Sequence, residues 1–242
     1  MKVEIWSDVV CPYCYLGKHT FEKALAQFAD RDNIEVEWKS FQLNPRLVTD
    51  TTISINQYLA EIKGYPIEQA VKMNDRFTLT GKAMGLEYNF DKIVVANSYK
   101  AQNLIHFAKN QGKQNEIEEQ LFKAYFTEGK NIDEIPVLVL LAKETGVNID
   151  GLEQAIENKT YDTQVQKDIT EASQLGIHGV PFFVFNRQYA VNGAQEMPVF
   201  LDTLKKSFTG WCKDHPEIKK IASTYSYKPT WKQIAPYWPE SQ

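Results

Sequence analysis

Cys11 and Cys14 enclose Pro12 and Tyr13, a Cys-Pro-Tyr-Cys run ten residues into the chain. Two cysteines at this spacing have two chemical uses, a reversible disulfide or half of a metal site. A structural zinc site needs four ligands. Beyond the pair the sequence offers only Cys212 and the scattered His19, His106, His178 and His215, with no second close pair, so no metal is expected. On the first turn of a helix the two sulfurs share a face and can close a very small disulfide ring. The unpaired N–H groups and the positive dipole end of that helix stabilise a thiolate at Cys11, moving a thiol from about 8.5 towards the roughly 3.5–7.5 range of activated cysteines. Cys14 lies one turn further in and feels this less. Cys11 is therefore expected to be the exposed, attacking sulfur and Cys14 the resolving one. The remaining alternative is a pair of inert cysteines that happen to be three apart.

A second notable run lies far along the chain, Gly176-Ile177-His178-Gly179-Val180-Pro181-Phe182-Phe183-Val184. A proline that opens a strand cannot donate to the ladder, and the Val180–Pro181 bond is a candidate cis bond, the plainer alternative being a trans proline at an edge strand. His178 has two readings, a stabiliser of the Cys11 thiolate or a solvated loop residue. Lys18 is expected on the solvated side of the first helix. Asp8 is assigned to turn formation or capping at the strand exit. Cys212, beside Trp211, is expected to be a packed free thiol.

These residues need elements to hold them. Residues 2–7 read as a buried strand, and a helical pattern through Leu16, Phe21, Leu25 and Phe28 covers about 12–29, so the cysteines sit at a strand-to-helix junction. Residues 33–43 read as a second strand parallel to the first, which makes a right-handed βαβ unit. From about 54 to 175 the periodicity is helical: 54–63, 66–84, 97–111, 114–128, 135–145, 150–158 and 161–175, punctuated by glycines. Strands return at 181–186 and 188–191 around a tight turn at Arg187, and a last helix is expected over about 195–208. The order predicts an α/β domain formed by 1–50 and 176–210, a helical domain inserted at 51–175, and a proline- and aromatic-rich tail at 211–242 packed on a surface.

Composition bounds the partners. With 43% apolar and 24% charged residues among 242, the chain can bury a sizeable core. Its net charge of −4, with dispersed basic residues, argues against a nucleic-acid ligand. Charge interrupts the first apolar run too early for a secretion signal, and no stretch reaches the roughly 18 apolar residues of a spanning helix. A cytoplasmic protein is expected. Three cysteines cannot make a disulfide scaffold, so the close pair calls for a chemical explanation.

Asp8-Val9-Val10-Cys11-Pro12-Tyr13-Cys14-Tyr15-Leu16-Gly17-Lys18, followed by Gly179-Val180-Pro181 and Val191-Asn192-Gly193-Ala194-Gln195, resembles the DsbA-like thioredoxin-fold oxidoreductases, most closely the FrnE-like branch. The likeness covers about residues 1–210, the helical insertion included. It implies a thioredoxin-like fold, a mixed sheet flanked by helices, with Cys11 and Cys14 as a redox centre. It also implies that Pro181 is cis and lies against the pair, and that the Val180 backbone pairs with an extended substrate, with Pro12 and Tyr13 in the same binding surface. One feature departs from the family: thioredoxins and DsbA carry a buried carboxylate six residues before the first cysteine, where this chain has Ile5. That proton relay is not carried over. Pro-Tyr is the dipeptide of glutaredoxins, whose potentials lie at roughly −200 to −230 mV against about −120 mV for DsbA, so an intermediate potential is implied.

The function implied is that of a protein disulfide reductase or isomerase, with no bound cofactor and with glutathione as a candidate co-substrate. Its partners would be protein or small-molecule disulfides and thiols, and the chain a monomer or homodimer. The helical insertion would form a lid beside the pair. Kappa-class glutathione transferases and 2-hydroxychromene-2-carboxylate isomerases resemble the same layout, which leaves a glutathione-dependent transferase or isomerase as the alternative. In those enzymes a serine stands at the Cys11 position and the second cysteine is absent, so the two sulfurs favour redox cycling. A binding or chaperone role for the helical cap is a third reading.

Overall fold

The computed structural model describes residues 1–218. Four strands form one mixed sheet in the order β2-β1-β3-β4: β1 (Lys2–Ser7), β2 (Glu35–Ser40), β3 (Phe182–Phe185) and β4 (Tyr189–Asn192). β1 pairs parallel with β2 and antiparallel with β3, and Ile5 stands beside both Trp38 and Phe183. The parallel pair is joined by α1 (Pro12–Gln27), as the βαβ reading expects. β3 and β4 are joined by the three residues Asn186, Arg187 and Gln188, the first two at positive φ, with Gln188 N–H donating to Phe185 C=O at 3.0 Å and Phe185 paired with Tyr189.

Alternation of side chains splits β1 and β3 between two cores. Val3, Ile5, Phe183 and Phe185 face α1 and α9 (Met197–Asp214), where Phe21 and Phe200 close on Phe183 at ring-centroid distances of 5.5 and 4.7 Å. Trp6, Phe182 and Val184 face the other way, against Ala172 and Ile177. Ala172 belongs to α8 (Asp162–Gln174), whose Asp168 carbonyl accepts from Trp6 Nε1 at 2.9 Å. This is the thioredoxin fold.

Between β2 and β3 lie α2 (Ile55–Lys63), α3 (Ile67–Met84), α4 (Tyr99–Lys109), α5 (Gln114–Phe122), α6 (Ile135–Glu144), α7 (Leu152–Glu157) and α8, with a π-helical turn at Lys123–Thr127. This helical insertion shares a core with the sheet. Tyr15 of α1 stacks on Phe122, with ring centroids 5.0 Å apart, and Tyr88 meets Phe126 edge-on. The Gln114 amide completes the outer edge of β2, accepting from Trp38 N–H at 3.0 Å and donating to Trp38 C=O at 2.9 Å. An otherwise open strand edge is thereby covered.

Three expectations change. The last helix runs on to Asp214, because Leu204, Phe208, Trp211 and Cys212 prolong its apolar stripe beyond the expected stop at 208. Trp211 and Cys212 thus belong to α9 rather than to a tail, and Cys212 is a buried free thiol. The proline- and aromatic-rich segment from 219 onward lies outside the described residues. Lys18, expected in solvent, is buried at 2% exposure, because α5 covers that face of α1. Its ammonium lies 2.7 Å from Glu22 and 2.6 Å from Glu119.

Gly17 lets α1 approach the loop that leads into β3. A Cβ there would stand 2.9 Å from Pro181 Cγ and 3.4 Å from Phe183 Cζ. Overpacking costs about 1–3 kcal/mol, while replacing a helical glycine with alanine returns about 1 kcal/mol of propensity. Gly17→Ala is therefore expected to lose on the order of 1 kcal/mol net in urea unfolding. A variant as stable as the parent would show that Pro181 is not held against α1.

Candidate active site at the β1–α1 junction

The chain leaves β1 at Ser7 and enters α1 at Pro12, with Cys11 as the residue capping the helix in extended geometry. Proline at the first helical position loses no hydrogen bond. Asp8 holds the connection: its carbonyl accepts from Cys11 N–H at 2.9 Å, and its carboxylate accepts from Leu43 N–H at 2.7 Å and Val10 N–H at 3.4 Å. The turn-forming role expected for Asp8 is thus present, and it also ties the junction to the segment after β2.

Both thiols are free, and both are buried, Cys11 at 4% exposure and Cys14 at 0%. The expectation of an exposed Cys11 is corrected here: the Pro181 loop on one side and Tyr88 on the other close over the junction. Cys11 Sγ–H donates to Val180 C=O at 3.5 Å, and Tyr88 Oη–H donates to Pro12 C=O at 2.9 Å. The Val180–Pro181 peptide bond is cis. The cysteines, Pro12, Val180 and Pro181 are therefore together. Tyr13 is 53% exposed, with its ring edge-on to Phe77 of α3 at 4.6 Å. Beside it a cavity of about 380 Å³ opens between α1, α3 and the β4–α9 connection, lined among others by Leu16, Met73, Arg76 and Gln195. His178 is exposed on the Pro181 loop and is not a hydrogen-bond partner of either cysteine among the described contacts.

The interior behind Cys14 carries more charge than the sequence suggests. Burial pushes the Cys14 thiol well up, and its hydrogen bond and charge interaction with Cys11 push the same way. The Ser7 hydroxyl and the Asp8 backbone oppose the rise. Burial also lifts Asp8 to about 6, against hydrogen bonds from Leu43, Ser98, Val10 and Val9. Glu118 of α5, at 1% exposure, is lifted by burial to about 7. It accepts from Ser7 Oγ–H at 2.8 Å through Oε1, while Oε2 has no partner among the described residues. Glu119 goes the other way. Burial opposes its charge, but His19 and Lys18 hold it down to about 2.

Ser7, Tyr88 and Glu118 are the residues that sequence reasoning missed. Glu118 lies in Glu116-Ile117-Glu118-Glu119-Gln120, where nothing separates an inward acid from a solvated one. His19, Glu22 and Glu119 are close enough to suggest a cation site, but the Lys18 ammonium already lies against both carboxylates.

Residues 2–205 match the DSBA-like thioredoxin domain, and the chain belongs to that family. YwbO of Bacillus subtilis (strain 168) is 29% identical over 204 residues, covering 82% of this chain and 92% of that protein. Among solved structures, a probable DsbA oxidoreductase from Streptomyces coelicolor, SCO1869, is 32% identical with a TM-score of 0.80, covering 97% of this chain and 98% of that one. The cytosolic disulfide reductase DsbM of Pseudomonas aeruginosa shares the fold at 15% identity and a TM-score of 0.58, over 90% of this chain and all of that one (100%). A 2-hydroxychromene-2-carboxylate isomerase shares it at 13% identity and a TM-score of 0.60, over 91% and 100% of the two chains.

The raised Glu118 gives a signed expectation. Its carboxyl binds a proton more tightly folded than unfolded, so its contribution to stability falls as pH rises from about 4.5 to about 7. Glu118→Gln, which cannot ionise, should gain stability relative to the parent over that window. The relative gain is about 3 kcal/mol at full shift, at about 1.4 kcal/mol per pKa unit. Denaturant unfolding of both proteins at pH 4.5 and pH 8 measures it, and a difference independent of pH would mean that Glu118 titrates normally.

Proposed function

We propose that this protein is a thiol–disulfide oxidoreductase, a protein disulfide reductase or isomerase in which Cys11 attacks and Cys14 resolves. The observation that carries the proposal is the placement of two free thiols at a strand-to-helix junction, with Cys11 capping α1 and its sulfur on the Val180 carbonyl. The Cys11 thiolate attacks a substrate disulfide, forming a bond to one substrate sulfur and expelling the other as a thiolate. Cys14 then attacks Cys11 and expels the first sulfur. The substrate gains two electrons, and the pair is left as a disulfide.

Several features support this reading. Cys11 lies at the helix terminus, whose N–H groups favour a thiolate, whereas Cys14 is deeper and disfavours one. Val180 offers backbone to an extended substrate just ahead of the paired part of β3, beside Pro181, whose carbonyl accepts from Gly193 N–H at 2.9 Å, and the cavity beside Tyr13 has room for a side chain flanking the substrate cysteine. His178, exposed on the Pro181 loop, makes no hydrogen bond to either cysteine among the described residues, and its proposed part is to support the Cys11 thiolate together with the helix terminus. A thiol such as glutathione would return the pair to the dithiol, so no bound cofactor is required. A reducing, cytoplasmic setting suits this direction, and the fold is that of a cytosolic disulfide reductase. No described helix is long and apolar enough to cross a membrane.

Cys11→Ser is expected to abolish reduction of insulin disulfides, and Cys14→Ser to accumulate mixed disulfides visible by mass spectrometry. Alkylation of the reduced protein at mildly acidic pH should label Cys11 first, and preferential labelling of Cys14 would reverse the roles.

Tyr13 brings no charge to the sulfur beside it. Tyr13→His should stabilise the Cys11 thiolate and with it the reduced form, making the disulfide more oxidising. At about 30 mV per 1.4 kcal/mol for two electrons, a rise of several tens of millivolts is expected in a glutathione redox titration. An unchanged or more negative potential would mean that charge at position 13 does not set it and that His178 or the helix terminus dominates.

A further inference from the structure

A thiolate at Cys11 can only accept hydrogen bonds, and the first turn of α1 leaves it one backbone donor. Cys11 caps the helix in extended geometry, which turns the amides of the second and third helical residues, Tyr13 and Cys14, toward its side chain. Pro12 has no N–H. The Cys11 amide donates to Asp8 C=O at 2.9 Å, and those of Cys14 and Tyr15 donate to Cys11 C=O at 3.0 and 3.4 Å. Tyr13 N–H has no backbone acceptor among the described residues. That amide belongs to the same peptide group as the Pro12 carbonyl, which accepts from Tyr88 Oη–H at 2.9 Å.

We propose that Tyr88 is a positioning residue for the thiol chemistry, whose hydroxyl fixes and polarises the Pro12–Tyr13 peptide so that Tyr13 N–H holds the Cys11 thiolate; this rests on the redox function proposed above. A donor on the carbonyl oxygen draws electron density along the peptide, and the N–H at its other end becomes a stronger donor. Tyr88 thus acts on the sulfur through the backbone. It comes from the helical insertion, which thereby supplies part of the redox machinery as well as a cover.

The insertion holds this hydroxyl by several independent contacts. The buried Tyr88 ring stacks on Phe90 at 5.6 Å and meets Phe126 edge-on at 5.1 Å. A Cβ at Gly81 of α3 would overlap Tyr88 Cδ2 and Cε2, so the glycine leaves the space that the ring fills. Both chain neighbours of Tyr88 are tied to the π-helical turn at Lys123–Thr127. Asn89 N–H donates to Phe126 C=O at 2.7 Å, Asn89 Nδ2 donates to Thr127 C=O at 2.7 Å, and Thr127 Oγ1–H donates to Glu87 C=O at 2.6 Å. Turns of this type are rare and often stand at functional sites. Burial pushes the Tyr88 hydroxyl well up, and Tyr15, Cys11 and Cys14 push the same way, so it stays a neutral donor at every pH where thiols react.

Tyr88→Phe tests this, because it keeps the ring and removes only the hydroxyl. The titratable groups around the junction, the Cys14 thiol, the Asp8 and Glu118 carboxyls and His178, are the same in both proteins. Two quantities are read on the full chain: the pH inflection of Cys11 alkylation by iodoacetamide, and the equilibrium of the Cys11–Cys14 pair with glutathione and glutathione disulfide. Weakening one charge-assisted bond by about 10–30% should make the thiol roughly two- to fourfold less acidic, moving the inflection up by about 0.3–0.6 of a pH unit. Because the thiolate belongs only to the reduced form, the equilibrium should move toward the disulfide by up to the same factor. A contact that only stabilises the fold would lower stability and move neither quantity. 3-Fluorotyrosine in place of Tyr88, a stronger donor of nearly the same size, should move both quantities in the opposite sense. An inflection and an equilibrium equal to the parent's in Tyr88→Phe, or moved the other way, overturn the proposal. Should that variant fail to fold, values equal to the parent's in the fluorotyrosine protein overturn it. A parent chain that forms no Cys11–Cys14 disulfide at any glutathione ratio overturns the redox function instead, so the two failures are distinguishable.

Discussion

The antiparallel pairing of β1 with β3 is the interaction on which the site depends. Trp6 lies opposite Phe182, so the register that joins these strands also places Pro181 and Val180 alongside the chain leaving β1. Cys11 and Val180 are 169 residues apart in sequence, yet a sulfur and a carbonyl meet at 3.5 Å. The two-faced packing of β3 holds that register. A slip of one residue would exchange Phe183 and Phe185 for Phe182 and Val184 between two different cores. Gly17 then sets how closely α1 lies on the Pro181 loop.

The helical insertion is anchored by polar groups as well as by aromatic packing. α5 reaches three parts of the α/β layer: Gln114 pairs with the Trp38 backbone, Glu118 with Ser7, and Glu119 with Lys18. On the far face, Lys39 lies among Asp168, Glu171, Glu37 and Glu4, which ties α8 to β1 and β2. Buried ion pairs of this kind are weak sources of net stability, because desolvation offsets much of the attraction, but removing one partner is costly. Their effect is to define one docking of the insertion on the sheet. Aromatic stacking of Tyr15 on Phe122 and of Tyr88 on Phe90 fills the space between these polar anchors.

Much of the architecture was legible in the sequence. The strand–helix–strand order around Cys11, the glycine-punctuated helices and the hairpin at Arg187 follow from short-range signals, alternation and turn chemistry, whereas the cis bond at Pro181 was one of two readings of a strand-opening proline and was favoured by the family resemblance. Within the site, Cys11, Cys14 and Pro181 were identifiable because a motif or a backbone constraint marks each of them, and Val180 through the family resemblance. Lys18 and Glu118 were not, since a lysine on an amphipathic helix and an acid in a run of acids ordinarily face water. The length of α9 was misjudged for a different reason. Its apolar stripe continues through Trp211 and Cys212, but the density of later prolines and aromatics made that stretch resemble a tail.

By itself the sequence determined which segments become strands and helices, where the two sulfurs sit along a helix, and which proline opens β3. Those properties depend on neighbours within a few residues. Only the tertiary structure decided that Cys11 would be covered, that Lys18 would meet Glu119, and that a carboxyl 111 residues from Ser7 would share a hydrogen bond with it behind Cys14. The reason is electrostatic and geometric. Whether a charged side chain is solvated or buried depends on which surface docks over it, and that surface comes from a distant segment whose placement follows from the packing of the whole core.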